Sequence, residues 1–297
     1  MRVAAVDLGT NSTRLLVADV DGERVEEVAR RAQITRLGEG VDERRRLLPL
    51  PVARVRNVLS DYRRELERLG AERALTIGTS AVRDAENGEA FLGEIEWSYG
   101  FATRLVTGEE EAELTLRGVA TGRALDGGTL VLDVGGGSTE LITTGQRTSI
   151  DVGSVRLTER HLHSDPPARE ELEAAAREVR QLLPPLEPEV AIGVAGTITT
   201  LAALEHSSSI SREGVERQLE RLASLPLSER RELPGLEPER APVIVGGVLI
   251  VREVLDRYGL DGLEASESDL LDGAALEAAQ LPEPVEGDAP PGAFTCC

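Results

Sequence analysis

Two stretches of the chain repeat one arrangement of side chains that can do chemistry. VAAVDLGTNSTRLLVADV (3–20) and TLVLDVGGGSTELITT (129–144) each run as an apolar strand, an Asp, a turn rich in Gly, Ser and Thr, and a second apolar strand. In the first copy Asp7 closes the strand and Gly9, Thr10, Asn11 and Ser12 make the turn. Glycine lets the backbone bend tightly, the hydroxyls and the amide donate to phosphate oxygens, and a strand-end carboxylate can hold a hydrated Mg²⁺. Taken alone, the same residues also make an ordinary hairpin. The second copy shifts the balance, because Asp133 is followed by Gly135, Gly136, Gly137, Ser138 and Thr139, with Glu140 behind them. Three successive glycines lose much backbone freedom on folding, so their use in a plain loop is hard to justify. The pair predicts a site for anions, with carboxylates placed for a metal.

Other routes to phosphate are closed. The chain has no lysine, so a Walker-type loop is excluded, and no GxGxxG fingerprint is present. A third turn, Gly193 to Thr197, leads into ITTLAAL, where amides at a helix start can hold more of a polyanion, although close packing explains it equally well. Arg83 follows the strand ALTIG at a strand-to-helix junction, and its planar fork suits phosphate oxygens. Glu109, Glu110 and Glu111 open a helix, where the dipole alone would account for them; one of the three turned inward could hold a water against phosphorus. His161, His163 and His206 lack a metal-binding pattern, and Ser138 lacks a GxSxG elbow, so its hydroxyl is read as a phosphate donor.

The elements that must position these residues alternate between strands and helices. A strand is expected over Val25 to Thr35, a polar turn at LGEGVDERRRL, and an amphipathic helix over Val52 to Leu69, followed by strand RALTIG and helix EAFLGEIEWSYG. Thr107 with Glu110 reads as a capping box. Later pieces are a strand at QRTSIDVG, helices over Pro167 to Leu183, Gly214 to Leu225 and Arg240 to Tyr258, and a last strand and helix in LEASESDLLDGAALEAA. With 297 residues, two domains are expected, over 1–122 and 123–297, with the last helix packing back on the first. An α/β class follows, and opening hairpins argue against a purely parallel sheet.

Bulk properties bound the function. The 33 arginines and histidine-poor composition stand against 53 acidic residues, for a net charge of −20, which disfavours nucleic acid as a partner. No apolar run approaches the length of a membrane span, and the first residues resemble a strand rather than a signal peptide, so a cytoplasmic location is expected. Cys296 and Cys297 stand together at the end, where they cannot staple a core or complete a zinc site.

In order along the chain, DLGTNSTRLL (7–16), GTSAVRDAENG (78–88), TGEEEAEL (107–114), LDVGGGSTEL (132–141), GSVRLTE (153–159) and GVAGTITTLAAL (193–204) resemble the exopolyphosphatase/guanosine pentaphosphate phosphohydrolase family. ERAPVIVGGVLIVREVLDRYG (239–259) and ASESDLLDGAAL extend the resemblance. It implies two ribonuclease-H-like domains of the actin and sugar-kinase superfamily flanking a cleft, in a compact two-domain form without the helical C-terminal domains of longer relatives. It implies removal of the terminal phosphate from inorganic polyphosphate, or from guanosine pentaphosphate, generally with Mg²⁺, and it admits a homodimer. Glu111 stands where the family carries its general base. Thr10, Asn11, Ser12, Arg83, Gly136, Gly137, Ser138 and Thr197 stand as phosphate contacts, and Asp7, Asp133 and Glu140 as metal-associated residues. Two departures are visible: Asp272 stands near a position where relatives more often carry arginine, so a positive contact is lost there or only the surface changes, and the stretch after Leu204 is short. Aromatic residues make up 2% of the chain, which leans toward polyphosphate over a purine substrate. A phosphotransferase and a binding-only sensor are the remaining readings; a water-activating glutamate speaks against both.

Overall fold

The structure is a computed structural model and describes residues 1–282; Cys296 and Cys297 lie outside the described residues. In chain order the first elements are β1 (Arg2–Leu8), β2 (Ser12–Asp21), β3 (Arg24–Ile34), α1 (Val41–Arg44), α2 (Pro49–Leu69), β4 (Arg73–Gly78), α3 (Ser80–Arg83), α4 (Gly88–Tyr99), β5 (Ala102–Leu105) and α5 (Gly108–Gly122). There follow β6 (Thr129–Val134), β7 (Thr139–Ile142), β8 (Arg147–Ile150), α6 (Ser154–His161), α7 (Arg169–Leu182), β9 (Val190–Val194), α8 (Ala195–Glu205) and β10 (Ser209–Ser211). The last are α9 (Arg212–Ser224), α10 (Leu227–Arg230), α11 (Ile244–Tyr258), β11 (Gly262–Ala265) and α12 (Leu270–Ala278). Among the described residues no helix is long and apolar enough to cross a membrane.

The chain divides into two compact units, one of Met1–Arg123 with the segment from Ser268 onward, the other of Ala124–Glu267. The second domain expected over 123–297 therefore ends at Glu267. The physical reason is α12, which buries Leu270, Leu271, Ala274, Ala275 and Ala278 against Val3, Ala5, Leu16 and Ala18 of the first sheet. Each unit holds one mixed sheet, ordered β3-β2-β1-β4-β5 in the first and β10-β11-β9-β6-β7-β8 in the second. Both begin with an antiparallel meander and continue with parallel strands, β4 beside β1 and β9 beside β6.

Strand periodicity of two decides which residues reach the core. In β1, Ala4, Val6 and Leu8 face α2 and α4 with Val55, Leu59, Phe91 and Ile95, whereas Val3 and Ala5 face α12. Asp7 shares the parity of Val3 and Ala5, so its carboxylate belongs to the α12 face. In the second unit Leu130, Leu132 and Val134 enter the main core with α8 and α11, which leaves Asp133 on the opposite face of β6.

Several elements differ from expectation. The polar turn at 37–47 contains the short helix α1, and α6, β10 and α10 occupy stretches for which no element is expected. Helix α11 begins at Ile244, with Arg240 to Val243 forming turns before it.

Helices α5 and α12 cross with almost no space between their backbones. A Cβ on Gly118 would lie 1.7 Å from the Asp269 carbonyl oxygen, and one on Gly273 would lie 2.0 Å from that of Leu114. Gly118→Ala should lower stability by about 1–3 kcal/mol, because backbone must move to admit the methyl. Gly93→Ala in α4, where nothing lies within 4 Å of the added carbon, should instead raise stability by about 0.4–1 kcal/mol. Urea unfolding of both variants checks this; a neutral Gly118→Ala would contradict the tight crossing.

Candidate active site

The duplicated turns agree down to their closing hydrogen bonds. Gly9 N–H donates to the Ser12 carbonyl at 3.0 Å, and Gly135 N–H to that of Ser138 at 3.1 Å. A Cβ at either glycine would press on the same carbonyl oxygen, at 2.8 and 3.0 Å respectively. The carbonyls within each turn are taken up by the chain beside it. Thr35 and Arg36 N–H donate to Asn11 and Gly38 N–H to Thr10, while Ser154 N–H donates to Gly135, and Val155 and Arg156 N–H to Gly136. Among the described residues no protein acceptor meets the N–H groups of Thr10, Asn11, Gly136 or Gly137. Successive outward N–H groups of this kind form a concavity for anions.

Side chains of the first turn point the same way. Thr10 Oγ1, both amide atoms of Asn11 and Asp7 Oδ1 are buried without a hydrogen-bond partner. A buried polar atom left unsatisfied costs about 1–3 kcal/mol, so four in one turn mark donors and acceptors kept for a ligand. Ser12 is half-buried, and Ser138 is buried in the second turn.

The ladders set the charges. Asp7 lies directly opposite Arg14 in β1–β2, and Asp133 directly opposite Glu140 in β6–β7. Both aspartates are followed seven positions later by a charged residue, cationic in one copy and anionic in the other. Arg14 donates Nε to Asp7 Oδ2 at 2.9 Å. Burial nevertheless raises the pKa of Asp7, an effect that Arg14 offsets and nearby Asp269 reinforces. Glu140 is buried, and its Oε1 accepts from Ser149 Oγ at 2.7 Å. Facing carboxylates repel, which suits a place for a divalent cation. Mg²⁺ is usually held by one or two carboxylates with waters and substrate phosphate; Asp133, Glu140 and the buried, unpartnered Oδ1 of Asp7 are donors of that kind. Among the described residues no group of three or more His, Cys, Asp or Glu side chains converges.

Arg83 and Glu111, 28 positions apart in sequence, meet in the first unit. Arg83 Nη1 donates to the Val106 carbonyl and to Glu111 Oε2, both at 3.0 Å. The capping box explains why Glu111 is the residue turned inward. Thr107 Oγ1 accepts from Glu110 N–H at 3.2 Å and Glu110 Oε2 accepts from Thr107 N–H at 2.8 Å, which commits Glu110 to the helix end and to Arg104. Glu109 is exposed, whereas Glu111 is buried at 8% relative exposure.

The third turn is more constrained than its sequence suggests. Helix α8 already begins at Ala195, which adopts φ +69°, a left-handed conformation that costs a non-glycine residue about 1–3 kcal/mol and collects at functional sites. Thr197 is buried against Gly247, where a Cβ would lie 2.5 Å from its Oγ1. The guanidinium of Arg240 covers Gly196, with Nη1 2.1 Å from the position of a Cβ there. Arg240 and Arg156, a buried arginine in the first turn of α6, are cations that sequence reasoning passed over. Both lie within motifs quoted for the resemblance, and only folding sets them against glycine turns. Asp272 is not a surface change: it is buried, accepts from Asp269 N–H at 2.9 Å and pairs with Arg30 at 3.0 Å. The histidines stay outside these turns, with His161 hydrogen-bonded to Glu178.

Residues 16–280 match the Ppx/GppA phosphatase family. Exopolyphosphatase 2 of Mycobacterium tuberculosis (strain ATCC 25618 / H37Rv) is 41% identical, over 94% of this chain and 98% of that protein. Guanosine-5'-triphosphate,3'-diphosphate pyrophosphatase of Vibrio vulnificus (strain YJ016) is 31% identical, over 92% of this chain but 58% of that protein. The crystal structure of an exopolyphosphatase-like protein is similar with a TM-score of 0.86 at 32% identity, covering 93% of this chain and 97% of that one.

Gly153 tests the second turn without touching a side chain expected to bind. A Cβ there would lie 2.5 Å from the Gly136 carbonyl carbon and 2.6 Å from Gly137 N. Gly153→Ala should displace the turn and weaken tripolyphosphate binding by about ten-fold or more, equal to about 1.4 kcal/mol, with cooperative melting retained. Calorimetric titration measures it; unaltered affinity would remove the second turn from the anion site.

Proposed function

The chain belongs to the Ppx/GppA phosphatase family, and on that premise we propose that it is an exopolyphosphatase, hydrolysing the terminal phosphoanhydride of inorganic polyphosphate to release orthophosphate. The observation that carries this reading is the buried Glu111 held beside Arg83, because a protein that only bound phosphate would need donors and no base. The strand order of both sheets, an antiparallel meander continued by parallel strands, supports ribonuclease-H-like topology for the two units.

In this mechanism the N–H groups of the turns at Thr10 and Asn11 and at Gly136 and Gly137, with Ser12, Ser138 and Thr197, bind phosphate oxygens. Arg83 keeps Glu111 in place through Nη1 and meets a phosphate oxygen with the rest of its fork. Glu111 accepts a proton from the attacking water as its oxygen bonds to the terminal phosphorus; the bridging P–O bond breaks, and the electron pair leaves with the shortened chain. Asp7 in the first unit, and Asp133 with Glu140 in the second, are the carboxylates that would associate with Mg²⁺. The cation supplies charge stabilisation on the phosphate oxygens.

Hydrolysis of guanosine pentaphosphate is the second reading, favoured by the similarity to the Vibrio vulnificus protein, since the same kind of bond is broken. Aromatic residues, the usual stacking partners for guanine, make up 2% of the chain, which leans toward polyphosphate. Glu111→Gln should reduce orthophosphate release by about 10²–10⁴-fold, the usual range for a general base, while keeping most of the affinity for polyphosphate. Release measured from short and long polyphosphate, guanosine pentaphosphate and ATP, with and without Mg²⁺, distinguishes the substrates. Full turnover by the Gln variant would remove Glu111 as base, and release from guanosine pentaphosphate alone would replace the leading reading with the second.

A further inference from the structure

Asp7 is held by a chain of charges that ends far from its own turn. Arg14 presents its Nε and Nη2 edge to Asp7 Oδ2, each at 2.9 Å, and leaves Asp7 Oδ1 buried without a partner. Arg14 Nη1 donates to Asp269 Oδ2. The other oxygen of that carboxylate, Asp269 Oδ1, accepts from Leu271 N–H at 2.9 Å and from Arg30 Nη1 at 3.4 Å. Asp269 is thus the N-cap of α12 through one oxygen and the anchor of Arg14 through the other. It is buried, and the adjoining Asp272 pairs with Arg30 at 3.0 Å.

The division of labour between the two oxygens matters for Asp7. A guanidinium held only by one carboxylate can swing to grip both of its oxygens side by side. With Nη1 committed to Asp269, Arg14 meets Asp7 along its other edge and at one oxygen alone. We propose that Asp269 is a positioning residue that, acting through Arg14, keeps Asp7 Oδ1 open for a hydrated divalent cation. This rests on the reading of Asp7 as metal-associated. The contact is local in space and distant in sequence, Arg14 and Asp269 lying 255 positions apart. Partners that orient a metal-associated side chain commonly alter metal affinity 10–100-fold when replaced.

Mn²⁺ binding to the full chain, read as the fall in free-ion EPR signal, tests the proposal without turnover. Asp269→Asn keeps the volume and the cap acceptor while removing the charge; Asp269→Ser, which retains an N-cap oxygen, stands in if the first variant does not fold. Either should weaken Mn²⁺ binding by about ten-fold, as should Asp7→Asn, and the effect of the Asp269 change should vanish in an Arg14→Gln background. Asp272→Asn, which breaks the Arg30 pair and the reciprocal cap, should lower the unfolding midpoint and leave Mn²⁺ affinity alone. Wild-type affinity in a folded Asp269 variant, equal loss in Asp272→Asn, or insensitivity to Asp7→Asn would each overturn the proposal. A wild-type protein that binds Mn²⁺ in this pattern yet releases no phosphate from polyphosphate would sink the functional reading and leave this one standing.

Discussion

Antiparallel register is the constraint on which both half-sites depend. Side chains alternate faces along a strand, so a shift of one residue would carry Asp7 from the α12 face into the apolar layer of Val6 and Leu8. The register is pinned at the turns by the Gly9 and Gly135 hydrogen bonds and along the strands by the two-faced core. It then places residue 14 against residue 7 and residue 140 against residue 133. Unit charges about 4 Å apart interact by about 4 kcal/mol at an effective dielectric of 20, more than the roughly 1 kcal/mol of a typical hydrogen bond. Charge therefore distinguishes the two turns: the first sets Arg14 against Asp7, and the second sets Glu140 against Asp133.

Helix α12 ties this electrostatics to packing. It completes the first unit's core and delivers Asp269 and Asp272 to Arg14 and Arg30. Burial alone would raise the pKa of Asp269, but the two guanidiniums and the Leu271 N–H outweigh it and hold the carboxyl below its ordinary value. Asp272 has weaker compensation, and burial pushes it up. For Arg30 burial works against the charge, yet Asp269 and Asp272 raise its pKa further. The same helix crosses α5 at Gly118 and Gly273, and α5 carries Glu111 two turns before the crossing. A bulkier crossing would disturb the carboxylate network and the glutamate together.

What could be read from sequence followed from how local each signal is. The Asp turns repeat within short windows, the Thr107–Glu110 box spans three residues, and the amphipathic stretch of α2 shows its period directly, so these elements were legible. Helix α6 was not, because it has eight residues and no capping side chain, and its first N–H groups are satisfied by Gly135 and Gly136 of the turn. Nor could sequence reveal the pairing of Arg14 with Asp269, or the approach of Arg240 to Gly196, since both depend on tertiary contacts. The docking of α12 on the first unit is expected, but the partners its apolar residues meet, Val3, Ala5, Leu16 and Ala18, are set by tertiary contacts.

The absence of lysine has a structural counterpart in these contacts. A buried ammonium loses its proton readily, whereas a guanidinium stays charged and offers donors along separate edges of one plane. Arg14, with a side chain 17% exposed, uses separate nitrogens for Asp7 and Asp269; Arg83 offers one nitrogen to both a carbonyl and Glu111. Lysine would supply a point charge at either place without the fixed edges that decide which carboxylate oxygen is covered. In a chain of net charge −20, a mobile cation near the turns would have many competing carboxylates. Arg14, bound on two sides, resists that competition, and so keeps positive charge beside Asp7 without closing both of its oxygens.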